Sequence, residues 1–483
     1  MPRKQPTDDV NPALVAAIGR PRTVLDVGCG AGLAALAAAE RGAEVTAVER
    51  DPALLDRARR LLGRVEAVDF DDPGALRARL GDRRFDLVLL PDALERSRDP
   101  AALVADLAGY VGPEGRLVAS ARNREAWPLR VGLGGAELGL PEGGLGLLRR
   151  RDLEGMVRAA GLELLTVAQN PLLLKAARAF VGEAFDLSLR EGEQEATGFR
   201  DLSAYELYLR AVRPLEVEVA KLSPRALAYQ HVVVARRPPA PGPLSLTVGM
   251  LTMDEEPSIA RMIDEIRAAA PDARILCVDS SVRDRTPEIA AEKGARVLRQ
   301  LPPRGHGPAM ELLLYEAAAE SDALVYLDCD FTYPPAVIPA LRRILESGAD
   351  VVNAARTRTR PAAMPLANYV ANRTFVYAAR ALEGVPVADL HSGMRGYRSS
   401  AIRGFDFDGE GDAIPIDTLL WPARSGYRVV EVPIAYQERI GLSKLRRLTG
   451  TVWTFIRLAR TLGVGERRGD TYEVWDQLEG EER

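Results

Sequence analysis

The feature that most constrains this chain is Arg236-Arg237-Pro238-Pro239-Ala240-Pro241-Gly242-Pro243. Four prolines in six residues remove four amide donors and favour extended backbone, so no helix or central strand can continue across the run. It divides 483 residues into two halves, each large enough for a domain at about 150 residues apiece. In both halves, short β-rich runs alternate with amphipathic Ala/Leu/Arg segments, the pattern of β-α-β units around a mostly parallel sheet. The expected organisation is a first domain over 1–237, a Pro-rich linker over 238–244, a second domain over 245–463 and a polar tail over 464–483.

Strands are expected at Thr23–Val27, Glu44–Val48, Val65–Val68, Phe85–Leu90, Arg116–Ser120, Leu162–Val167 and Gln230–Ala235, with a helical insertion over about 171–224. In the second half they are expected at Leu246–Leu251, Arg274–Val278, Arg296–Arg299, Ala323–Leu327 and Val351–Ala354. Lys+Arg 64 against Asp+Glu 68 leaves a net charge of −4, which argues against a nucleic-acid binder and requires any anionic ligand to be held by local cations. Cys29, Cys277 and Cys329 sit in apolar runs without metal-ligand spacing, so a reducing, cytoplasmic setting is expected. No stretch approaches about 18 consecutive apolar residues, and no membrane span is expected.

Val24-Leu25-Asp26-Val27-Gly28-Cys29-Gly30-Ala31-Gly32 is an apolar strand entering a glycine-rich turn that opens a helix. Such a turn lets a ligand approach bare backbone and meet its N–H groups. A dinucleotide fingerprint needs glycine at position 33, where this chain has Leu33, so a dehydrogenase is disfavoured. Asp26 and Glu49 supply two carboxylates, one suited to an ammonium group and one to ribose hydroxyls.

This run resembles the first motif of class I S-adenosylmethionine-dependent methyltransferases, and the resemblance continues through Phe85-Asp86-Leu87-Val88, Asp92-Ala93-Leu94-Glu95-Arg96 and Arg150-Arg151-Asp152-Leu153-Glu154. It implies that Gly28, Gly30 and Gly32 line the cofactor, that Glu49 binds its ribose and that Asp69 and Phe70 flank its adenine. Arg96 stands where relatives often carry His.

In the second half, Tyr326-Leu327-Asp328-Cys329-Asp330-Phe331-Thr332 places two carboxylates just beyond a strand, where they can converge on one hard cation. With Met253-Asp254-Glu255-Glu256, Cys277-Val278-Asp279-Ser280-Ser281, Asp389-Leu390-His391-Ser392-Gly393-Met394-Arg395 and Glu438-Arg439-Ile440-Gly441-Leu442-Ser443-Lys444, in this order, it resembles a family 2 GT-A glycosyltransferase of the polyprenyl-phosphate, dolichyl-phosphate mannose synthase-like branch. The resemblance implies inverting transfer from a nucleotide sugar. Asp328 and Asp330 would hold Mg or Mn, with Thr332 where relatives often place a Gln ligand. Glu255 and Asp279 would contact base or ribose, and Arg395, Arg439 and Lys444 would grip the diphosphate and an acceptor phosphate. Asp389 is expected to orient the acceptor or take its proton.

The fold class that follows is α/β, with two doubly wound domains: a Rossmann-like methyltransferase fold and a GT-A fold. Residues 444–462 alternate arginines with Trp453, Phe455, Ile456 and Leu458, a basic amphipathic pattern that suits a bilayer interface or a helix packed on the catalytic domain. The expected activity is sugar transfer to a polyprenyl phosphate plus methylation of the same or a related glycoconjugate. The competing reading is a transferase for a soluble metabolite with a non-catalytic S-adenosylmethionine-binding domain.

Overall fold

The structure is a computed structural model that describes residues 11–126, 147–171, 213–356, 361–362, 364–411, 413–438, 447–461 and 471–475. Arg439, Lys444 and most of the expected insertion over 171–224 lie outside the described residues. The chain divides into two compact units, one mainly Met1–Pro239 and the other mainly Ala240–Arg403 with Phe407–Thr461.

Among the described residues the first unit holds seven strands: β1 (Thr23–Val27), β2 (Glu44–Glu49), β3 (Glu66–Ala67), β4 (Phe85–Leu90), β5 (Val111–Arg122), β6 (Glu163–Pro171) and β7 (Ala228–Arg236). Their order is β3-β2-β1-β4-β5-β7-β6. The first five pair in parallel, while β7 runs antiparallel to β5 and β6. Three helices of this unit start on an Asp-Pro step, at Asp51, Asp72 and Asp99. Each Asp carboxylate accepts from amides of the first turn, and each proline occupies a position whose amide has no helical partner. Strand β5 begins five residues before the expected Arg116, because Gly112 and Gly115 leave room for the Phe85 carbonyl where a Cβ would come within about 3 Å of it.

The second unit contains β8 (Leu246–Thr252), β9 (Arg274–Asp279), β10 (Arg296–Arg299), β11 (Ala323–Leu327), β12 (Val351–Ala355), β13 (Met394–Arg398), β14 (Val429–Pro433) and β15 (Tyr472–Val474). The order is β10-β9-β8-β11-β13-β12-β14-β15, with β13 antiparallel to both neighbours. Three strands, β13, β14 and β15, depart from the sequence reading. Met394–Arg398 reads as a charged motif, yet all five residues are buried, Arg398 directing its guanidinium to the Leu345 carbonyl. Tyr472–Val474 falls in the expected loose tail but pairs with β14, and the buried Tyr472 hydroxyl donates to Glu431 at 2.8 Å.

In both sheets the strand order reverses direction beside the first strand of the unit, between β1 and β4 and between β8 and β11. Such switch points leave a crevice at the carboxyl ends of the strands. The glycine turn follows β1 and the paired aspartates follow β11, so each motif lies at its crevice.

Candidate functional site

In the first unit Gly28, Gly30 and Gly32 follow β1 with φ of 65°, 61° and 89°, a conformation that side-chain-bearing residues rarely adopt. A Cβ on Gly28 would lie 2.8 Å from Arg96 Nη2 and 2.9 Å from the Ala93 Cβ, so the turn packs directly on the segment after β4. Asp26 and Glu49 are wholly buried beside it. Burial, reinforced by the neighbouring Glu49 charge, pushes the Asp26 carboxyl up to about 8. Glu49 Oε2 accepts from the Gly30 amide at 2.8 Å, and its Oε1 accepts from the Arg50 and Asp51 amides at 2.9 and 3.0 Å.

Phe70 is a core residue, 1% exposed, with the Arg50 guanidinium 4.4 Å from its ring centre. Asp69 stands at the rim, paired with Arg50 at 3.3 Å and Arg98 at 2.8 Å. Two groups named in the sequence motif, but given no role there, also meet here. Arg96 reaches Glu49 and the Gly28 carbonyl. Asp92, at φ 54°, accepts from Ser120 and Gln230, each at 2.6 Å. Gln230 arrives only because β7 runs antiparallel to β5, a pairing that no local pattern announces.

In the second unit Asp328 and Asp330 follow β11 on either side of Cys329. Phe331 is held at φ 63°, a strained setting for a bulky residue and one that clusters at functional sites. Its ring is buried under the Arg261 guanidinium at 4.5 Å. Asp330 accepts the amide of Thr332 at 3.0 Å and its hydroxyl at 2.5 Å. This corrects the expectation of a metal ligand at Thr332: the residue is 1% exposed and its hydroxyl is turned onto Asp330, which it orients. Asp328 lies against Gly393, whose carbonyl accepts the Asp328 amide at 3.1 Å. Glu255 caps the helix Glu256–Ala269 beside β8. Asp279 is buried and accepts from Thr252, Ser281 and Arg299 at 2.7, 2.7 and 3.3 Å.

Asp389 is wholly buried and forms a two-pronged pair with Arg356 at 2.8 and 3.1 Å, while also accepting the Arg356 and His391 amides. Burial opposes its charge, but Arg356 outweighs that cost and holds the carboxyl below the usual range. A carboxylate so saturated is a poor proton acceptor, and what Asp389 holds in place here is the Arg356 guanidinium. Arg356 was missed, because it opens the run Arg356-Thr357-Arg358-Thr359-Arg360, which reads as a basic loop. Its guanidinium lies 5.6 Å from the ring centres of both Tyr333 and Tyr436.

Arg395 requires a second correction. It is fully buried and donates to Asn353 at 2.6 Å, to the Leu390 carbonyl at 2.7 Å and to the Pro415 carbonyl. Its donors are spent inside the fold, so it braces the 389–395 segment and does not grip a phosphate. Asn353 in turn donates to the Asp389 carbonyl at 2.8 Å and to Glu431 at 2.7 Å. The helix Arg447–Thr461 packs on this unit through a buried Arg457–Asp417 ion pair, a 3.1 Å bond between Thr454 and His391, and a Phe455–Phe375 edge contact. Val452, Phe455 and Ile456 on the same helix remain 58%, 53% and 38% exposed.

Residues 247–405 match the family model described as glycosyl transferase family 2, and residues 3–167 match one described as a methyltransferase domain. The chain is 37% identical over 206 residues to a dolichyl-phosphate hexose transferase of Haloferax volcanii, covering 42% of this chain and 88% of that relative. It is 29% identical over 209 residues to an undecaprenyl-phosphate mannosyltransferase of Micrococcus luteus, covering 40% and 84%. Over 150 residues it is 37% identical to a ubiquinone biosynthesis O-methyltransferase of Xylella fastidiosa, covering 29% of this chain and 61% of that protein. With its GT-A and Rossmann-like sheets, the chain belongs to glycosyl transferase family 2 and carries a methyltransferase domain in the same polypeptide.

Proposed function

We propose that the second unit transfers a hexose from a nucleotide sugar, with inversion, to a polyprenyl phosphate, and that the first unit uses S-adenosylmethionine to methylate the same or a related glycoconjugate. The observation that carries the sugar-transfer reading is the Asp328/Asp330 turn, built on a strained Phe331 at the β8/β11 crevice of a chain whose relatives include a dolichyl-phosphate hexose transferase and an undecaprenyl-phosphate mannosyltransferase. Two carboxylates are a hard oxygen donor set that suits Mg or Mn. Among the described residues no cluster of three or more Asp, Glu, His or Cys could hold a metal alone, so the remaining ligands would come from the donor's diphosphate and water. The ion, held by Asp328 and Asp330, would neutralise the leaving nucleoside diphosphate.

The chain's own residues supply positioning. Asp389 fixes Arg356 between Tyr333 and Tyr436, and Nη1 of Arg356 has no partner among the described residues, which leaves it directed to a phosphate oxygen. A phosphate acceptor is already anionic near neutrality, so no strong base is required. Glu255 and Asp279 border the base and ribose side, and Arg439 and Lys444 are assigned to the phosphates. No helix among the described residues is long and apolar enough to cross a membrane. The exposed Val452, Phe455 and Ile456 suit peripheral contact with the inner face of the plasma membrane, bringing the site to a lipid phosphate.

The test is a panel of UDP- and GDP-sugars with a short prenyl phosphate, with Mg or Mn present or chelated. Transfer is expected only with metal, and Asp330→Ala is expected to reduce it at least about 100-fold. Equal turnover in chelator would sink the metal assignment to Asp328 and Asp330, and turnover only with soluble acceptors would sink the lipid-phosphate reading.

The first unit fits an adenosyl cofactor: three left-handed glycines form a turn free of side chains beside the buried Asp26 and Glu49. When bound, S-adenosylmethionine supplies the electrophilic methyl group. Asp26 would meet the ammonium group as an anion, although at pH 7 its carboxyl, raised to about 8, is mostly protonated. Binding therefore releases a proton, and affinity for S-adenosylmethionine is expected to rise up to about tenfold between pH 6 and pH 7. Calorimetry in two buffers of different ionisation enthalpy reads that proton directly. A pH-independent affinity, or a slope that persists in Asp26→Asn, would refute the assignment.

A further inference from the structure

Arg96 closes the short helix Ala93–Arg96 after β4, and its guanidinium enters the glycine turn. Nη1 donates to both Glu49 oxygens, at 3.1 and 3.2 Å, and Nη2 donates to the Gly28 carbonyl at 2.5 Å. Glu49 then receives the amides of Gly30, Arg50 and Asp51 together with two contacts from Arg96. A carboxylate offers about four lone-pair sites, so nothing remains on Glu49 for a ribose hydroxyl. The Arg96 main chain is tied down as well. Arg50 donates to the Arg96 carbonyl and pairs with Asp69 and Asp71, and the Arg98 amide donates to Asp71 at 3.1 Å.

We propose that Arg96 is a built-in competitor for the Glu49 carboxylate, so that an adenosyl ligand binds only as the Arg96 guanidinium swings off Glu49 and the Gly28 carbonyl. This deepens the reading of the first unit as an S-adenosylmethionine site and rests on it. The backbone brace allows the side chain to move without the helix. The consequence is a cofactor site held below the affinity that its glycines and carboxylates could reach, because each binding event first breaks a partly buried ion pair. Lysine at this position keeps the charge but lacks the planar fork that spans Glu49 and Gly28 together, so it should compete less well.

The experiment is calorimetric titration of wild-type full-length chain, Arg96→Gln and Arg96→Lys with S-adenosylmethionine and, separately, with S-adenosylhomocysteine. Both ligands are expected to bind Arg96→Gln about tenfold or more tightly than wild type, with Arg96→Lys between them. Stopped-flow association in wild type should level off at high ligand concentration, at the rate of Arg96 departure, and that plateau should vanish in Arg96→Gln. With wild type still binding, weaker binding in both variants would make Arg96 a ligand contact and unchanged binding would show that it does not compete; either result would overturn the inference while the cofactor reading stood. No binding to any of the three proteins would overturn both.

Discussion

Gly393→Ala is expected to cost about 100-fold or more in sugar transfer while leaving the fold in place. A Cβ at this position would overlap the Asp328 carboxylate, coming 2.6 Å from its Cγ and 2.9 Å from the Tyr333 ring. The Gly393 backbone does not require glycine for its φ, so the conflict is confined to the side chains it meets. Tyr333 is wholly buried and its hydroxyl accepts the Gly393 amide at 2.5 Å, which leaves Asp328 as the group that must yield. A displacement of about 1 Å in a positioning group is enough for a hundredfold loss. Steady-state kinetics should show the loss mainly in kcat, with a raised metal requirement and a circular dichroism spectrum like that of wild type. Unchanged kinetics at ordinary metal concentration would remove Asp328 from the reacting centre.

Arg457→Leu is expected to destabilise the second unit by about 3–5 kcal/mol, whereas the double variant with Asp417→Leu should recover much of that loss. Both side chains are completely buried, and Arg457 also donates to the Asp408 and Glu410 carbonyls at 3.0 and 2.8 Å. Burial already pushes Asp417 up to about 6 against the attraction of Arg457. Removing the arginine leaves the Asp417 carboxyl buried with only the weaker attraction of Arg460 to offset its desolvation. Denaturant unfolding of wild type, Arg457→Leu and the double variant measures this directly. A single variant that loses less than about 1 kcal/mol would mean that the pair is hydrated, and would weaken the assignment of this helix as a fixed part of the unit.

Much of the fold was legible because its signals are local. The glycine turn after Val27, the three Asp-Pro helix starts and the apolar runs of β1, β4, β8 and β11 each announce an element within a few residues. The positions of Glu49 beside the glycine turn and of Asp328 with Asp330 after β11 were legible because each motif adjoins a strand end. The site was obscure where a charged residue serves the interior. Arg395 looks like a phosphate ligand until its acceptors, Asn353 and the carbonyls of Leu390 and Pro415, are seen around it. Arg356 looks like one arginine among several until Asp389, 33 residues away in sequence, selects it. Both outcomes depend on which strands lie side by side, and spacing along the chain does not carry that information.

Strand β15 bears on how the protein should be handled. It covers the outer edge of β14, whose Val429, Val430 and Val432 are buried, and Tyr472 completes the set of donors around Glu431. Trimming the polar C-terminal segment as dispensable would uncover a row of unpaired amides and carbonyls on a valine-rich strand, a template for intermolecular β-pairing. A chain shortened before residue 471 should therefore precipitate on concentration, and an affinity tag is better attached at the other terminus.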